Sequence, residues 1–249
     1  MDNANKLLIA RCEDLMRQCD RQAIPKFSHF LDGAQLRIIE ENVNFFGYNV
    51  EVFGGYEEAE RKILGVFPQW LQSEDLEFPI SVLKITSGIG KTLNHRDYLG
   101  TLMAQGIDRS KMGDIIVDSH IAYVFVCEDI AAYLKDNIQK IGNKGVKIET
   151  ARVEDVKIPE PKTQEINSVC ASLRLDAVVS AICNISRTKA AEIIKAGYVK
   201  VNHIECENVS YTVRENELLS IRGFGRVRFI ESSGETRKGR LHITAQKYI

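Results

Sequence analysis

The basic residues near the carboxy-terminal end are spaced to hold a polyanion. Arg187 and Lys189 fall in the first turn of a helix predicted over Arg187–Ala196, with Ser186 as its N-cap. Backbone N–H groups and the helix dipole already favour a phosphate at such an end. An isolated helix gains from acids there, so cations at that position fit an external anion. Arg222, Arg226 and Arg228 alternate around Gly223-Phe224-Gly225 and so share a face. Arg237-Lys238-Gly239-Arg240 adds a third cluster.

Other chemistries find less support. Ser87-Gly88-Ile89-Gly90-Lys91-Thr92 ends like a phosphate loop, but that loop needs a glycine where Ile85 stands. It reads better as a glycine-rich turn with a basic tip. The six cysteines, at 12, 19, 127, 170, 183 and 206, form no Cys-x-x-Cys pair. The five histidines show no metal-binding spacing. Arg174-Leu175-Asp176 resembles the triplet around the catalytic aspartate of some pseudouridine synthases. That triplet continues there toward Thr-x-Gly, whereas here Ala177-Val178-Val179-Ser180 follows, so Asp176 is expected to cap or salt-bridge near a helix start. No catalytic residue, metal or cofactor is expected.

The elements that must position these groups are visible in the chain. Net charge over 249 residues is -1, which hides a division. Residues 1–165 carry 20 basic and 26 acidic side chains, and residues 166–249 carry 13 and 8. The change falls at Pro159-Glu160-Pro161-Lys162, a polar connector read as a linker over 159–165. No apolar run is long enough to span a membrane, and the start lacks the pattern of a secretion signal. Unpaired thiols fit a reducing compartment, so a cytoplasmic location is expected.

An α+β fold in three parts follows. Residues 1–74 read as a small α+β domain, with helices over 4–22 and Gly33–Phe45 and a hairpin from Tyr48–Phe53 to Arg61–Phe67. Residues 75–158 give the order β-α-β-β-α-β of a ferredoxin-like middle domain. Its strands are expected at Pro79–Thr86, Asp114–Asp118, Ile121–Cys127 and Val146–Val153, with helices at Arg96–Gln105 and Asp129–Ile141. An RNA-recognition fold of that topology stacks bases on third-strand aromatics. Tyr123 and Phe125 have the right alternation but lack the surrounding motif, and are read as core-facing, with base stacking the alternative. Residues 166–249 begin with a helix in which Leu175, Val178, Val179 and Ile182 point inward, then a short break at Asn184-Ile185 and the Arg187 helix, closed by Gly197. Strands at Tyr198–Val201, Leu218–Arg222 and Arg226–Glu231 close a small sheet.

This last part resembles the S4 RNA-binding domain, or αL motif, through Arg174-Leu175-Asp176, Ser186-Arg187, Ala190, Ile193-Ile194, Gly197-Tyr198-Val199-Lys200-Val201-Asn202 and Ser210. His203 stands where a glycine is usual, and Glu215-Asn216 where Gly-Asp is common. Histidine visits φ > 0 more readily than most residues. The whole chain is similar to the YlmH family of bacterial S4-domain proteins. The motifs are Asn94-His95-Arg96-Asp97-Tyr98-Leu99-Gly100, Gly106-Ile107, Lys111-Met112-Gly113-Asp114-Ile115, Gly223-Phe224-Gly225-Arg226 and Gly234-Glu235-Thr236-Arg237-Lys238-Gly239-Arg240. They cover most of the chain, least before about residue 75.

The resemblance implies a cytoplasmic, non-enzymatic RNA-binding protein that associates with the large ribosomal subunit through rRNA and tRNA. Its expected role is ribosome-associated quality control of stalled subunits, acting as a monomer away from membranes. The implied RNA-binding set is Arg174, Arg187, Thr188, Lys189, Lys200 and Asn202, widened by Arg222, Arg226, Arg228, Arg237, Lys238 and Arg240. The competing reading is an RNA-modifying enzyme, pseudouridine synthase-like or other, with S4 as its handle and residues 75–158 as the catalytic module. The acidic excess of residues 1–165 also fits docking to a basic ribosomal protein.

Overall fold

The structure is a computed structural model that describes residues 3–88, 92–156, 158, 162–236 and 239–249, without the side chains of Asp75 and Glu235. The Ile89-Gly90-Lys91 part of the glycine-rich turn and the prolines of the connector lie outside the described residues. The chain divides into two compact units, Met1–Pro159 and Glu160–Ile249.

The first unit opens with α1 (Asn3–Gln22), which buries Cys12 and Cys19. Next come β1 (Lys26–Leu31), α2 (Gly33–Asn42), β2 (Tyr48–Phe53) and β3 (Lys62–Pro68). Asp32 and Gln35 start α2 with reciprocal side-chain-to-backbone hydrogen bonds, a capping box. The strands form an antiparallel sheet in the order β1-β3-β2. The hairpin of β2 and β3 matches expectation, whereas β1 was not anticipated. Its sequence Lys-Phe-Ser-His-Phe-Leu is short and half polar, and its partner β3 lies more than thirty residues away. The α2 helix also stops at Asn42, with Val43 already extended, rather than at Phe45.

The same unit continues with β4 (Ile80–Ser87), α3 (His95–Ala104), β5 (Met112–Asp118), β6 (Ile121–Cys127), α4 (Glu128–Asn137), β7 (Lys140–Ile141) and β8 (Lys144–Ala151). The sheet order β5-β6-β4-β8-β7 is the split βαβ arrangement with one short added strand. Leu83, Ile85, Val124 and Val126 pack beneath Leu102 of α3 and Leu134 of α4. Strand residues alternate, so Val82, Tyr123, Phe125 and Cys127 face the other way. There they join Phe30 and Ile63 of the first sheet in one buried cluster. Phe125 is fully buried, with its ring 5.3 Å from that of Tyr56.

The boundary expected near residue 74 therefore falls inside one compact unit. The second face of the β4–β6 sheet is apolar, and the first sheet supplies its cover. Polar bonds reinforce the join: the Asp114 carboxylate accepts from Tyr56 Oη at 2.8 Å and Glu60 N at 2.7 Å. Arg61 donates to the carbonyls of Met112 and Phe30. Tyr123 and Phe125 are thus core residues, and base stacking on them is closed off in this fold.

The second unit contains β9 (Thr163–Cys170), α5 (Leu175–Cys183), α6 (Arg187–Lys195), β10 (Val199–Val201), β11 (Ile204–Glu205), β12 (Leu218–Ile221), β13 (Gly225–Glu235) and β14 (Leu241–Tyr248). They form a six-stranded sheet in the order β11-β10-β12-β13-β14-β9. The small sheet read from the sequence is thus twice extended, and β9 begins inside the stretch 159–165 read as a linker. β9 pairs with β14 along its whole length, Thr163 opposite Tyr248 and Cys170 opposite Leu241. The inner face, including Val199, Leu219, Val227, Phe229 and Ile243, packs against Val178, Val179, Ile182 and Ile194 of the two helices.

Candidate nucleic-acid interface

Two capping devices fix the helix pair. Asn184 takes the left-handed conformation at the end of α5, and Ser180 Oγ donates to the Ile185 carbonyl at 2.7 Å. Ser186 Oγ then accepts from Lys189 N at 3.2 Å, starting α6. At the other end Gly197 N donates to the Ile194 carbonyl and Tyr198 N to that of Ile193, the Schellman pattern, with Gly197 at φ +72°. The first turn of α6 contains no acid. It presents Arg187, Thr188 and Lys189, all exposed.

Arg187 also has an internal partner. Its Nε and Nη2 donate to the Asp176 carboxylate at 2.9 and 3.2 Å. Arg174 grips the same carboxylate from the other side, Nε at 3.1 Å and Nη2 at 3.3 Å. Asp176 is a buried residue in the first turn of α5. Burial pushes its carboxyl up, but the hydrogen bonds and charges of Arg187 and Arg174 outweigh this and hold it below the ordinary carboxylate range. One carboxylate between two guanidinium groups leaves a net positive cluster. Each arginine remains about half exposed, and the Nη1 of each has no partner among the described residues. Asp176 therefore does what its local sequence implied, bridging at a helix start, and it does so with two of the expected RNA-binding arginines.

A second set of cations lies on the outer face of the sheet. Register places Lys200 opposite Ser220 and Ser220 opposite Arg226, with Leu218 opposite Arg228 in the next row. Inward Val199, Leu219, Val227 and Phe229 alternate with these residues, so Lys200, Arg226 and Arg228 point away from the helices. Arg222 joins them one step past β12, its guanidinium 4.7 Å from the ring centroid of Tyr198. Arg226 lies 5.6 Å from the ring of Tyr248, and Arg228 Nε donates to Tyr248 Oη at 3.0 Å. Arg240 is exposed in the turn before β14. Arg237 and Lys238 lie outside the described residues.

The expected site is thus divided into a helix-borne set and a sheet-borne set, with the sheet between them. Asn202 belongs to neither. Its Oδ1 accepts from Leu218 N at 2.8 Å and its Nδ2 donates to Glu217 Oε1 at 3.3 Å, so its side chain holds the β10–β11 turn. His203 follows at φ +73°, the conformation that the usual glycine would adopt freely. Sequence reasoning missed Lys247, whose Nζ stands 4.0 Å from the ring centroid of Phe224, and the aromatic partners Tyr198 and Tyr248. The interleaving of Tyr198 with Lys200, of Phe224 with Arg222 and Arg226, and the pair Lys247-Tyr248 was the available signal. Aromatic rings beside cations make a surface that can hold phosphate and stack on unpaired bases.

Among the described residues no group of three or more His, Cys, Asp or Glu side chains is placed to hold a metal ion. No described helix is long and apolar enough to cross a membrane.

Comparison with known proteins adds to this geometry. Residues 73–155 match the model of a putative RNA-binding domain in YlmH, and residues 173–219 match the S4 domain. The chain is 31% identical over 223 residues to the Bacillus subtilis protein named ribosome-associated protein quality control protein P2, covering 89% of this chain and 87% of that one. A solved structure of the cell division protein ylmH from Streptococcus pneumoniae superposes with a TM-score of 0.52 at 22% identity, over 63% of this chain and 97% of that one. That likeness is one of fold.

Proposed function

Because the chain belongs to the YlmH family of S4-domain RNA-binding proteins, we propose that it is a non-enzymatic adaptor that grips structured RNA on the ribosome. The observation that carries this reading is the start of α6. It is Ser186-capped, contains no acid and offers Lys189 beside the Asp176-held arginines, inside the stretch that matches the S4 domain. A phosphate there meets backbone N–H groups, a helix dipole and fixed cations together. Such contacts read the shape of a folded RNA more than its sequence. The sheet-borne cations Lys200, Arg222, Arg226 and Arg228, with Arg240 and, outside the described residues, Arg237 and Lys238, widen the footprint.

The name of the Bacillus subtilis relative, ribosome-associated protein quality control protein P2, supports a setting in ribosome-associated quality control. In this reading the RNA is rRNA and tRNA of a stalled large subunit. A cytoplasmic monomer fits that role. Cross-linking followed by sequencing of bound RNA from growing cells tests it. A footprint on large-subunit rRNA or tRNA is expected, and a footprint confined to messenger RNA would replace the adaptor with an mRNA regulator.

A further inference from the structure

We propose that one end of the three-stranded sheet in the first unit is a docking tip for a lysine- and arginine-bearing protein segment. Both β1 and β2 run antiparallel to β3, so their beginnings gather at its carboxy-terminal end. The last register pair of β2 and β3 is Tyr48 with Pro68, and Phe46 and Trp70 each lie two residues beyond it, in the turns that flank the strand ends. On the other side, Lys26 pairs with Val66, and Ile24 lies two residues before it, in the bend that leads into β1. These three side chains are among the most exposed large apolar groups described, Phe46 at 89%, Trp70 at 69% and Ile24 at 48%.

Their backbones are held while their side chains are bare. Asn49 Nδ2 donates to the carbonyls of Gln69 and Leu71, at 3.4 and 3.1 Å. Asn44 Oδ1 accepts from Phe46 N at 3.0 Å. Holding the backbone at both aromatics lowers the cost of ordering them on binding, as at interface anchors.

Charge selects the occupant. Among the described side chains, residues 40–51 and 68–77 carry five acids, Glu40, Glu41, Glu51, Glu74 and Glu77, and no Lys or Arg, against Arg21 and Lys26 on either side of Ile24. That rim repels an RNA backbone. It attracts ammonium and guanidinium groups, which also bind over the faces of Trp and Phe. The inference stands apart from the RNA reading, since it uses none of the residues of the second unit.

The test places p-benzoylphenylalanine at position 46 of the full chain. The protein is irradiated with RNA-free protein extracted from ribosomes, a ready mixture of basic proteins, and in parallel with protein-free ribosomal RNA. A cross-link to a Lys/Arg-rich protein segment is expected, reduced roughly tenfold by Trp70→Ala and by Glu74→Lys with Glu77→Lys, while circular dichroism is unchanged. Trp70 is the only tryptophan, so its emission should shift on the same titration. No cross-link, a cross-link to RNA or to a second copy of the chain, or one that survives both sets of substitutions overturns the proposal. With RNA-free protein as the probe, the result is independent of whether the second unit binds RNA.

Discussion

Arg187 reaches from the first turn of α6 to the Asp176 carboxylate in the first turn of α5, donating through Nε at 2.9 Å and Nη2 at 3.2 Å. A residue proposed to meet a phosphate is therefore also a structural member of the helix pair. Reversing its charge would do more than remove the proposed RNA contact, because it sets a second carboxylate beside a buried one. Arg187→Glu is expected to lower the urea unfolding midpoint, since it breaks a bidentate hydrogen bond to a buried carboxylate, with Arg174 remaining as partner. Lys189→Glu, whose side chain pairs with exposed Glu192 alone among the described residues, should shift stability by less than about 0.5 kcal/mol. Equal midpoints for the two variants would show that the Asp176 bridge contributes nothing.

The same carboxylate sets a pH dependence. Its folded pKa lies below the ordinary value, so as pH falls the unfolded chain takes up the proton first. The stabilisation is complete above about pH 4, the unfolded carboxylate value, and is lost as pH falls through the folded value. Asp176→Asn should lower stability at neutral pH and flatten this acid limb. A variant that keeps the wild-type acid dependence would place its origin in other carboxylates.

A fragment spanning 160–249 should fold alone and bind structured RNA, since the six-stranded sheet and both helices lie within it. Beginning at residue 171 instead removes β9, bares the β14 edge and uncovers the core around Ile166 and Cys170. That shorter fragment should give an uncooperative melt. Filter binding of the longer one should weaken steeply with salt, by a log–log slope of about 0.9 per neutralised phosphate. RNA affinity residing only in residues 1–159 would reject the S4 reading.

How far the sequence disclosed these features depended on the range of the interaction. The caps Ser186 and Gly197 were legible because each acts within one turn of its own helix. The alternation of Tyr123 and Phe125 was legible too, but not their cover, since Phe30 and Ile63 arrive from a separate stretch of chain. β9 was hidden by composition: Thr-Gln-Glu-Ile-Asn-Ser-Val-Cys follows prolines, and its inward row contains Ser168, bonded to the Ala181 carbonyl. The bridge from Arg187 to Asp176 depends on the crossing of two helices, which spacing along the chain does not reveal.

The two cation sets make separable predictions. Lys189→Glu, from the helix-borne set, and Lys200→Glu, from the sheet-borne set, should each weaken RNA binding and reduce the salt slope by about one if each meets a phosphate. Both are exposed and lie outside the core, so melting should be unaffected. If only the helix-borne change alters the slope, the outer face of the sheet is not part of the RNA footprint.

Gly55 tests the join inside the first unit. It sits at φ +98°, and a Cβ there would lie 2.4 Å from two ring carbons of Phe125. Phe125 is fully buried among residues of both sheets, so its ring has no room to retreat. Gly55→Ala should cost roughly 2–4 kcal/mol, overpacking and left-handed strain adding together. Because one cluster spans both halves, residues 1–74 and 75–158 should melt in a single transition, lowered as a whole. Two separate calorimetric transitions before residue 159 would show two domains.

Finally, the purified protein should leave RNA unmodified. Asp176 is committed to two arginines, and Asp97 accepts from Asn94 N at 2.8 Å as part of the cap of α3. A carboxylate that serves a helix cap is fixed away from the role of acid or nucleophile unless the cap opens. Ribosomal RNA from a strain lacking the protein would be incubated with it and its nucleosides compared by mass spectrometry, with nucleotide turnover assayed alongside. Unchanged nucleosides and no turnover are expected. A new modified nucleoside that disappears with Asp97→Asn or Asp176→Asn, in variants that still melt cooperatively, would replace the adaptor by an RNA-modifying enzyme using the S4 domain as its handle.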